Sequence, residues 1–288
     1  MNKMKFIAEI GINHNGSLEK AKELINMAHE CGADYVKFQK RNPDICVPEE
    51  QKGKEKIVPW RKEPTTYLEY KKDIEFEEKE YNAIDKYCKK LGIKWTASPW
   101  DMDSAMFLTK YPLDLIKIPS AKITDLELLV FCAMNWQTLV ISTGMSTETE
   151  IDKAVSTIEK TWAKHLPNLP TKLYIMHCNS SYPSLDKELN LNYIIQLKEK
   201  YELRGHVIGL SGHHEGISPD IVAATLGAEI FERHITLSRS MWGTDQAASI
   251  TRDQLYKLIR DLHKIDTWRE DGVKKIYPSE VPIRAKLR

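Results

Sequence analysis

Short apolar runs alternate with longer amphipathic stretches along the whole chain. Runs of four to seven residues rich in β-branched and aromatic side chains predict strands over Lys5–Ile10, Tyr35–Phe38, Lys94–Ala97, Leu115–Ile118, Thr138–Ser142, Lys172–Met176, Val207–Leu210 and Glu229–Ile235. Apolar positions recurring at three and four residues predict helices over Leu18–Cys31, Phe76–Leu91, Met102–Tyr111, Asp125–Met134, Thr147–Lys160, Asn190–Lys200, Ser218–Leu226 and Arg252–Ile265. Strict alternation of strand and helix implies βαβ units and a parallel sheet. Eight such units predict an α/β chain folded as one (β/α)8 TIM barrel over residues 1–275, with a tail over 276–288.

The competing fold is a doubly wound open sheet, which has fewer strands and a glycine fingerprint after the first. That fingerprint is absent. The first loop, Gly11-Ile12-Asn13-His14-Asn15-Gly16-Ser17, has the outline of a phosphate loop but lacks the Lys before its Ser. The stretch Arg41–Lys72 carries Pro, Trp and mixed charge and reads as irregular. In a barrel it is the loop after the second strand, on the catalytic face, and loops of that length are usually functional or mobile.

Composition narrows the class without changing the fold. A chain of 288 residues with 42% hydrophobic side chains can bury a full barrel core. The net charge of +1 argues against nucleic acid as a partner, yet leaves room for a small anion held by a few local cations. No apolar run approaches the ~18 residues of a membrane span, so no membrane partner is expected. The N-terminal stretch carries Glu9 and no small-residue cleavage site, unlike a signal peptide. The five cysteines are scattered with no CxxC, which predicts free thiols and a cytoplasmic setting. A homo-oligomer is compatible with all of this, and its order is left open.

Barrel chemistry gathers at the C-terminal strand ends, where inward side chains alternate. Polar residues of this chain fall there. Glu9 shares parity with Ile7, and a strand carboxyl among apolar neighbours is costly to bury without a partner or a task. Lys37 and Gln39 share parity on the second strand, and Lys117 and Ser120 end the fourth. Ser142, Thr143 and Ser146 follow the fifth; His177, Asn179 and Tyr182 end the sixth. Ser211 pairs in parity with His213, and Glu232 with His234. The two histidines are 21 residues apart, one βα unit, so they end adjacent strands. Strands about 4.8 Å apart let two imidazoles share one divalent ion with open positions, as a Lewis-acid site requires. His214 has the wrong parity for this. Two lysines with hydroxyls and loop N–H groups suit a phosphate or carboxylate. Together these groups suggest the joining of a small phosphorylated acid to an aldehyde or ketone.

The blocks Ala8-Glu9-Ile10-Gly11-Ile12-Asn13-His14-Asn15-Gly16, Lys37-Phe38-Gln39, Lys117-Ile118-Pro119-Ser120, Ser142-Thr143-Gly144-Met145-Ser146, His177-Cys178 with Tyr182-Pro183, Gly209-Leu210-Ser211-Gly212-His213 and Glu232-Arg233-His234 resemble the sialic acid (N-acetylneuraminate) synthase family, in family order. The resemblance implies a (β/α)8 barrel that condenses phosphoenolpyruvate with an open-chain N-acetylmannosamine-type aldose. It implies His213 and His234 as ligands of manganese or magnesium. Phosphoenolpyruvate would be bound by Lys37, Lys117, Ser120, Ser142, Ser146 and Ser211, and the sugar by Gln39, Tyr182 and Asp245. Glu9 would manage protons or the attacking water.

Two departures touch the sugar. Many relatives have an acid two positions after the fourth-strand serine, where this chain has Lys122. They also carry a C-terminal antifreeze-like domain that contributes an arginine; the tail and the block Met241–Ser249 resemble a shorter branch that lacks it. Lys122 is therefore a candidate sugar-side residue, either solvated or binding an anion on the acceptor. The competing functions are a synthase of another 3-deoxy-2-ulosonic acid from a different, anionic aldose, a non-catalytic sugar-acid-binding barrel, and a Schiff-base aldolase using Lys117.

Overall fold

The computed structural model describes residues 4–269 and 271–288. Its main sheet has eight parallel strands: β1 (Lys5–Gly11), β2 (Tyr35–Lys40), β3 (Lys94–Pro99), β4 (Ile116–Ile118), β5 (Thr138–Ser142), β6 (Lys172–Cys178), β7 (Val207–Gly212) and β8 (Ile230–His234). Hydrogen-bonded neighbours run β3-β2-β1-β8-β7-β6-β5-β4. The remaining seam, between β3 and β4, is bridged where Thr96 Oγ1 donates to the Leu115 carbonyl at 2.8 Å. The sheet is therefore a nearly closed barrel, as the alternation predicts. Leu115 itself lies just outside β4, because its carbonyl faces this seam.

The outer helices are α1 (Leu18–Glu30), α2 (Glu78–Leu91), α3 (Met102–Leu108), α4 (Leu126–Asn135), α5 (Glu148–His165), α6 (Tyr193–Tyr201), α7 (Ser218–Thr225) and α8 (Arg252–Arg269). Local sequence sets their ends. The Ser17 hydroxyl accepts the Lys20 N–H at the start of α1, and Thr147 and Glu150 form a reciprocal capping box on α5. Along α1, Ala21, Leu24, Ile25 and Ala28 fall on one face and are buried against the sheet. Burying a Leu or Ile side chain fully contributes about 1.5–3 kcal/mol. No helix among the described residues is long and apolar enough to cross a membrane. All five cysteines are free thiols.

Inside the barrel, Ile7, Tyr35, Leu115, Val140, Tyr174 and Met176 make an apolar plug. One step further along the strands the inward positions turn polar. Glu9 is in register with Lys37 on one side and His234 on the other; Gln39 faces Ser98, and Glu232 faces Ser211. The plug forms the floor of the site, and the strand register builds its walls.

The stretch Arg41–Lys72 is not irregular. It holds short helices over Pro43–Cys46 and Glu49–Lys52, a two-strand hairpin pairing Glu55–Lys56 with Thr65–Thr66, and the start of a helix over Tyr67–Ile74. The Thr66 hydroxyl caps that helix by accepting the Glu69 N–H at 3.2 Å. Tyr70 and Ile74, four residues apart, join Ile12 and Val58 in a small satellite core. Each element is too short to register as a period, so their order comes from this shared cluster. The tail also has structure: a turn at Pro278–Glu280 and a helix over Val281–Leu287, whose apolar residues are exposed.

His14 ties the loop after β1 to this region. Its ring stacks on Phe76 at 4.0 Å, and its Nδ1 accepts the Gly16 N–H at 3.0 Å. Burial pushes its pKa down to about 3 from 6.5. Below the unfolded value the unfolded chain binds a proton that the folded chain refuses, so stability is complete above that pH and falls as the pH drops. A group of this kind costs up to about 1.4 kcal/mol per pH unit below the unfolded pKa. His177, His206 and His214 are shifted in the same direction, first by burial. Urea midpoints at pH 7 and pH 5 should therefore fall for the wild type, and fall less for His14→Gln. Equal falls would show that His14 does not contribute.

Candidate functional site

At the C-terminal mouth of the barrel lies a cavity of about 140 Å³. Its walls bring together Glu9, Lys37 and Gln39 from β1 and β2, Lys117 and Ser120 from the β4 end, Tyr182 after β6, and Ser211, His213, Glu232 and His234 from β7 and β8. Ten candidates from six strand-end segments of sequence thus share one space. The parity argument accounts for this, since each of these strand residues sits in step with an apolar residue of the plug.

The charges are arranged around two carboxylates. Glu232 Oε1 receives Lys117 Nζ at 3.1 Å and the Ser211 hydroxyl at 3.3 Å, and lies 3.8 Å from Lys37 Nζ. Lys37 Nζ pairs with Glu9 Oε2 at 2.7 Å and donates to Ser98 Oγ at 2.9 Å. Glu9 Oε1 accepts from Gln39 Nε2 at 2.9 Å. Glu9, Lys37, Lys117, Glu232 and His234 are all buried. Burial works to raise both carboxyl pKa values. At Glu9 it wins over the attraction of Lys37, and the pKa is raised. At Glu232 the two lysines, Lys117 before Lys37, reverse it, and the pKa is lowered. Two neighbouring acids pushed apart in this way take different tasks: Glu232 remains a fixed anion that positions two lysines, and Glu9 is the group suited to exchange a proton.

Beside these carboxylates, at the ends of β7 and β8, the His213 and His234 rings lie 5.4 Å apart. His213 Nδ1 bonds the Asn179 carbonyl at 2.7 Å, which fixes the ring and leaves Nε2 free. His234 Nδ1 is buried without a hydrogen bond, with Asp245 Oδ2 3.7 Å away. Burial, ahead of every other influence, holds the His234 pKa down, which favours the neutral imidazole that a metal needs. Tyr182 lies over His213 at 3.9 Å between ring centres and edge-on to His234 at 5.6 Å. Among the described residues no group of three or more His, Cys, Asp and Glu is placed to hold a metal ion. The two imidazoles that the sequence singles out lie together in the cavity, and His234 Nδ1 is left unpaired.

Two glycines permit this packing. Gly11 has φ +52, and a Cβ there would stand 3.1 Å from Glu9 Oε1, 3.2 Å from Gln39 Nε2 and 3.2 Å from His234 Cε1. Gly144 donates its N–H to Ser120 Oγ at 3.1 Å, and a Cβ would come within 2.8 Å of that same oxygen.

Other candidates lie elsewhere. Ser142 Oγ is buried without a partner, off the cavity wall. Ser146 bonds the Gly144 carbonyl at 3.2 Å and lines a neighbouring groove with Thr143 and His177. His177 itself bonds the Leu189 carbonyl. His214 points behind the wall, where its Nε2 meets Asp220 at 3.0 Å beside Arg233. Asp245 does not line the cavity; its Oδ2 lies 3.7 Å from His234 Nδ1. Lys122 does not line the cavity; it lies 3.6 Å from Asp125. Conversely, Glu232 carries more of the site's electrostatics than its position beside His234 implied. Ser98, at the end of β3, had the same polar strand-end signal as the others and was missed.

The amino-acid sequence matches the NeuB family over residues 24–274. It is 33% identical over 282 residues to the N,N'-diacetyllegionaminic acid synthase of Legionella pneumophila, covering 98% of this chain and 78% of that relative. It is 32% identical over 285 residues to the human N-acetylneuraminate-9-phosphate synthase, covering 98% of this chain and 75% of that one. Among solved structures, the N-acetylneuraminic acid (sialic acid) synthetase of Leptospira borgpetersenii aligns with a TM-score of 0.83 at 30% identity, over 100% of this chain and 93% of the other.

Proposed function

Because the chain belongs to the NeuB family, we propose that it joins C3 of phosphoenolpyruvate to the aldehyde carbon of an open-chain N-acetylmannosamine-type aldose. The products are a sialic-acid-like nonulosonic acid and inorganic phosphate. The observation that carries this reading is the pair Lys37 and Lys117, held on either side of Glu232 in the cavity that also contains Glu9 and two imidazoles. Such a cluster matches a small polyanion next to a carbonyl.

In this reading Lys37, Lys117, Ser120 and Ser211 hold the phosphate and carboxylate of phosphoenolpyruvate. Charge-assisted bonds of this kind fix the enol so that C3 faces the acceptor. Gln39 and Tyr182 orient the aldose. C3 forms the new bond to the aldehyde carbon, whose oxygen takes up a proton, and C2 becomes electron-poor. Water adds at C2 and gives its proton to Glu9. The tetrahedral centre then expels phosphate with its bridging oxygen, which takes the C2 hydroxyl proton, leaving the ketone and hydrogen phosphate. Lys37 and Lys117 stay beside the departing charge throughout, the electrostatic preorganisation that lowers such barriers. A divalent cation, manganese or magnesium, held by His213 and His234 would supply Lewis-acid polarisation of the acceptor carbonyl. Five free thiols fit work in a reducing cytoplasm.

The test is release of inorganic phosphate from phosphoenolpyruvate with and without N-acetylmannosamine-type aldoses in the presence of manganese. Aldose-dependent release is expected. No release with any aldose, under conditions where the protein is folded, would overturn the reading.

A further inference from the structure

A charged cluster lies behind the wall that carries His213 and His234, outside the catalytic cavity. Strand parity turns Arg233 outward, between the inward Glu232 and His234. There it meets Asp220, in the first turn of α7, and His214, just after β7. Arg233 Nη1 donates to Asp220 Oδ2 at 2.5 Å and to the Gly216 carbonyl at 3.1 Å, and Nη2 donates to the His214 carbonyl at 2.6 Å. His214 Nε2 lies 3.0 Å from Asp220 Oδ2 and 2.7 Å from Arg233 Nη1. None of the three residues is more than 1% exposed. Gly212 makes the room: a Cβ there would stand 2.6 Å from His214 Cε1 and 3.0 Å from Arg233 Cδ.

This is a costly way to fill the space between the barrel and α7. Arg233 Nε, Asp220 Oδ1 and His214 Nδ1 are each buried with no hydrogen-bond partner. Apolar side chains of similar volume often replace a buried ion pair with no loss of stability, or with a gain. Stability alone therefore does not account for the cluster, but its place in the chain does. The paired register of β7 and β8 ends at Gly212 and Arg233, one residue short of His213 and His234. Beyond that point the Arg233 guanidinium holds the chain leaving β7, through two carbonyls that directly follow His213. Its planar fork fixes the direction of both bonds, which a single ammonium would not. The loop after β6 holds His213 from another side. Ser184 N–H donates to the His213 carbonyl at 3.1 Å, and the Asn179 carbonyl bonds the ring at Nδ1. His234 follows Arg233 directly, so one guanidinium relates both imidazoles.

We propose that Arg233, seated by Asp220, is a positioning residue: its fork sets the separation and aim of the His213 and His234 rings, and so how well they share one divalent cation. For the cation the inference rests on the condensation reading. For the ring separation it stands on the geometry of the cluster alone.

Arg233→Met together with Asp220→Leu removes both charges at once and leaves neither buried alone, so the double variant should fold and melt close to the wild type. Three readouts separate a positioning role from a structural one. In crystals of the variant the two rings should move from their 5.4 Å separation by more than about 0.5 Å, the tolerance of a preorganised site. Manganese binding, measured by equilibrium dialysis without substrate, should weaken about tenfold or more. The kcat should fall by a similar factor while the KM for phosphoenolpyruvate changes little, because Lys37 and Lys117 stand on other strands. Arg233→Lys, which keeps the charge beside Asp220 and loses the fork, should show a smaller loss in the same direction, and it decides the matter should the double variant not fold. Rings that stay in place overturn the proposal, as does manganese affinity unchanged from a wild type that binds the ion. Failure of both variants to fold overturns it too, since the cluster would then hold the fold rather than the rings. A wild type that neither binds manganese nor releases phosphate would overturn the condensation reading instead, and leaves the ring separation to decide the role of Arg233.

Discussion

Lys37→Ala should lower kcat/KM for phosphoenolpyruvate by between about tenfold and a hundredfold, with the KM for phosphoenolpyruvate rising more than that for the aldose. The lower bound follows from one charge-assisted bond of about 1.5–3 kcal/mol to the substrate. The upper bound includes what Lys37 does before substrate arrives. It lies between Glu9 and Glu232, 2.7 Å from one and 3.8 Å from the other. Without it two buried carboxylates face each other, and Glu9 takes up a proton that it must not hold when water adds at C2. Breaking a buried ion pair from one side costs about 3–5 kcal/mol, so the melting temperature should also fall. Lys117→Ala should show the same kinetic pattern with less effect on Glu9, because Lys117 pairs with Glu232 alone. Steady-state kinetics with each substrate varied in turn check this. A change confined to the aldose KM would remove the lysine from the phosphoenolpyruvate side.

His213→Ala and His234→Ala should each lower turnover by about a thousandfold or more, the equivalent of roughly 4 kcal/mol of Lewis-acid stabilisation. Each should also lose bound manganese by elemental analysis after equilibrium dialysis, which reads the site without turnover. Two imidazoles hold a divalent ion only moderately, so a chelator should abolish wild-type activity reversibly and manganese should restore it. The folded state should survive, since neither imidazole carries a salt bridge at hydrogen-bond distance; the closest, His234 to Asp245, is 3.7 Å. Full activity in excess chelator would eliminate the metal from the account.

The barrel was legible because its two periods are clean. Inward alternation such as Ile7 and Glu9, or Lys37 and Gln39, identifies both the strand and the face. The same alternation placed His213 and His234 together and turned His214 away, where it meets Asp220 and Arg233. The loops were less legible. Tyr67–Ile74 is held by two buried side chains and one threonine cap, too little to stand out from a polar stretch. Arg41 and Trp100 gain their positions from loops after β2 and β3, so no strand parity foretells that one lies over the other. Lys122 was read as a sugar-side candidate from its place after Ser120. The short turn over Ser120–Lys122 carries it past the cavity toward Asp125. Ser142 is the last residue of β5 and Ser146 follows it, but the chain turns at Met145, with φ 59, and Ser146 ends up over the adjacent groove.

The most direct test of the central claim follows one oxygen. Phosphoenolpyruvate labelled with 18O in the bridge between C2 and phosphorus would be incubated with the protein, manganese and an accepted aldose. If C3 attacks the aldehyde and water adds at C2, the label leaves in inorganic phosphate, seen as an isotope shift in the 31P spectrum, and the nonulosonic acid carries oxygen from water at C2. Label retained in the keto group of the product, with unlabelled phosphate, would mean that the P–O bond breaks, and would contradict the account.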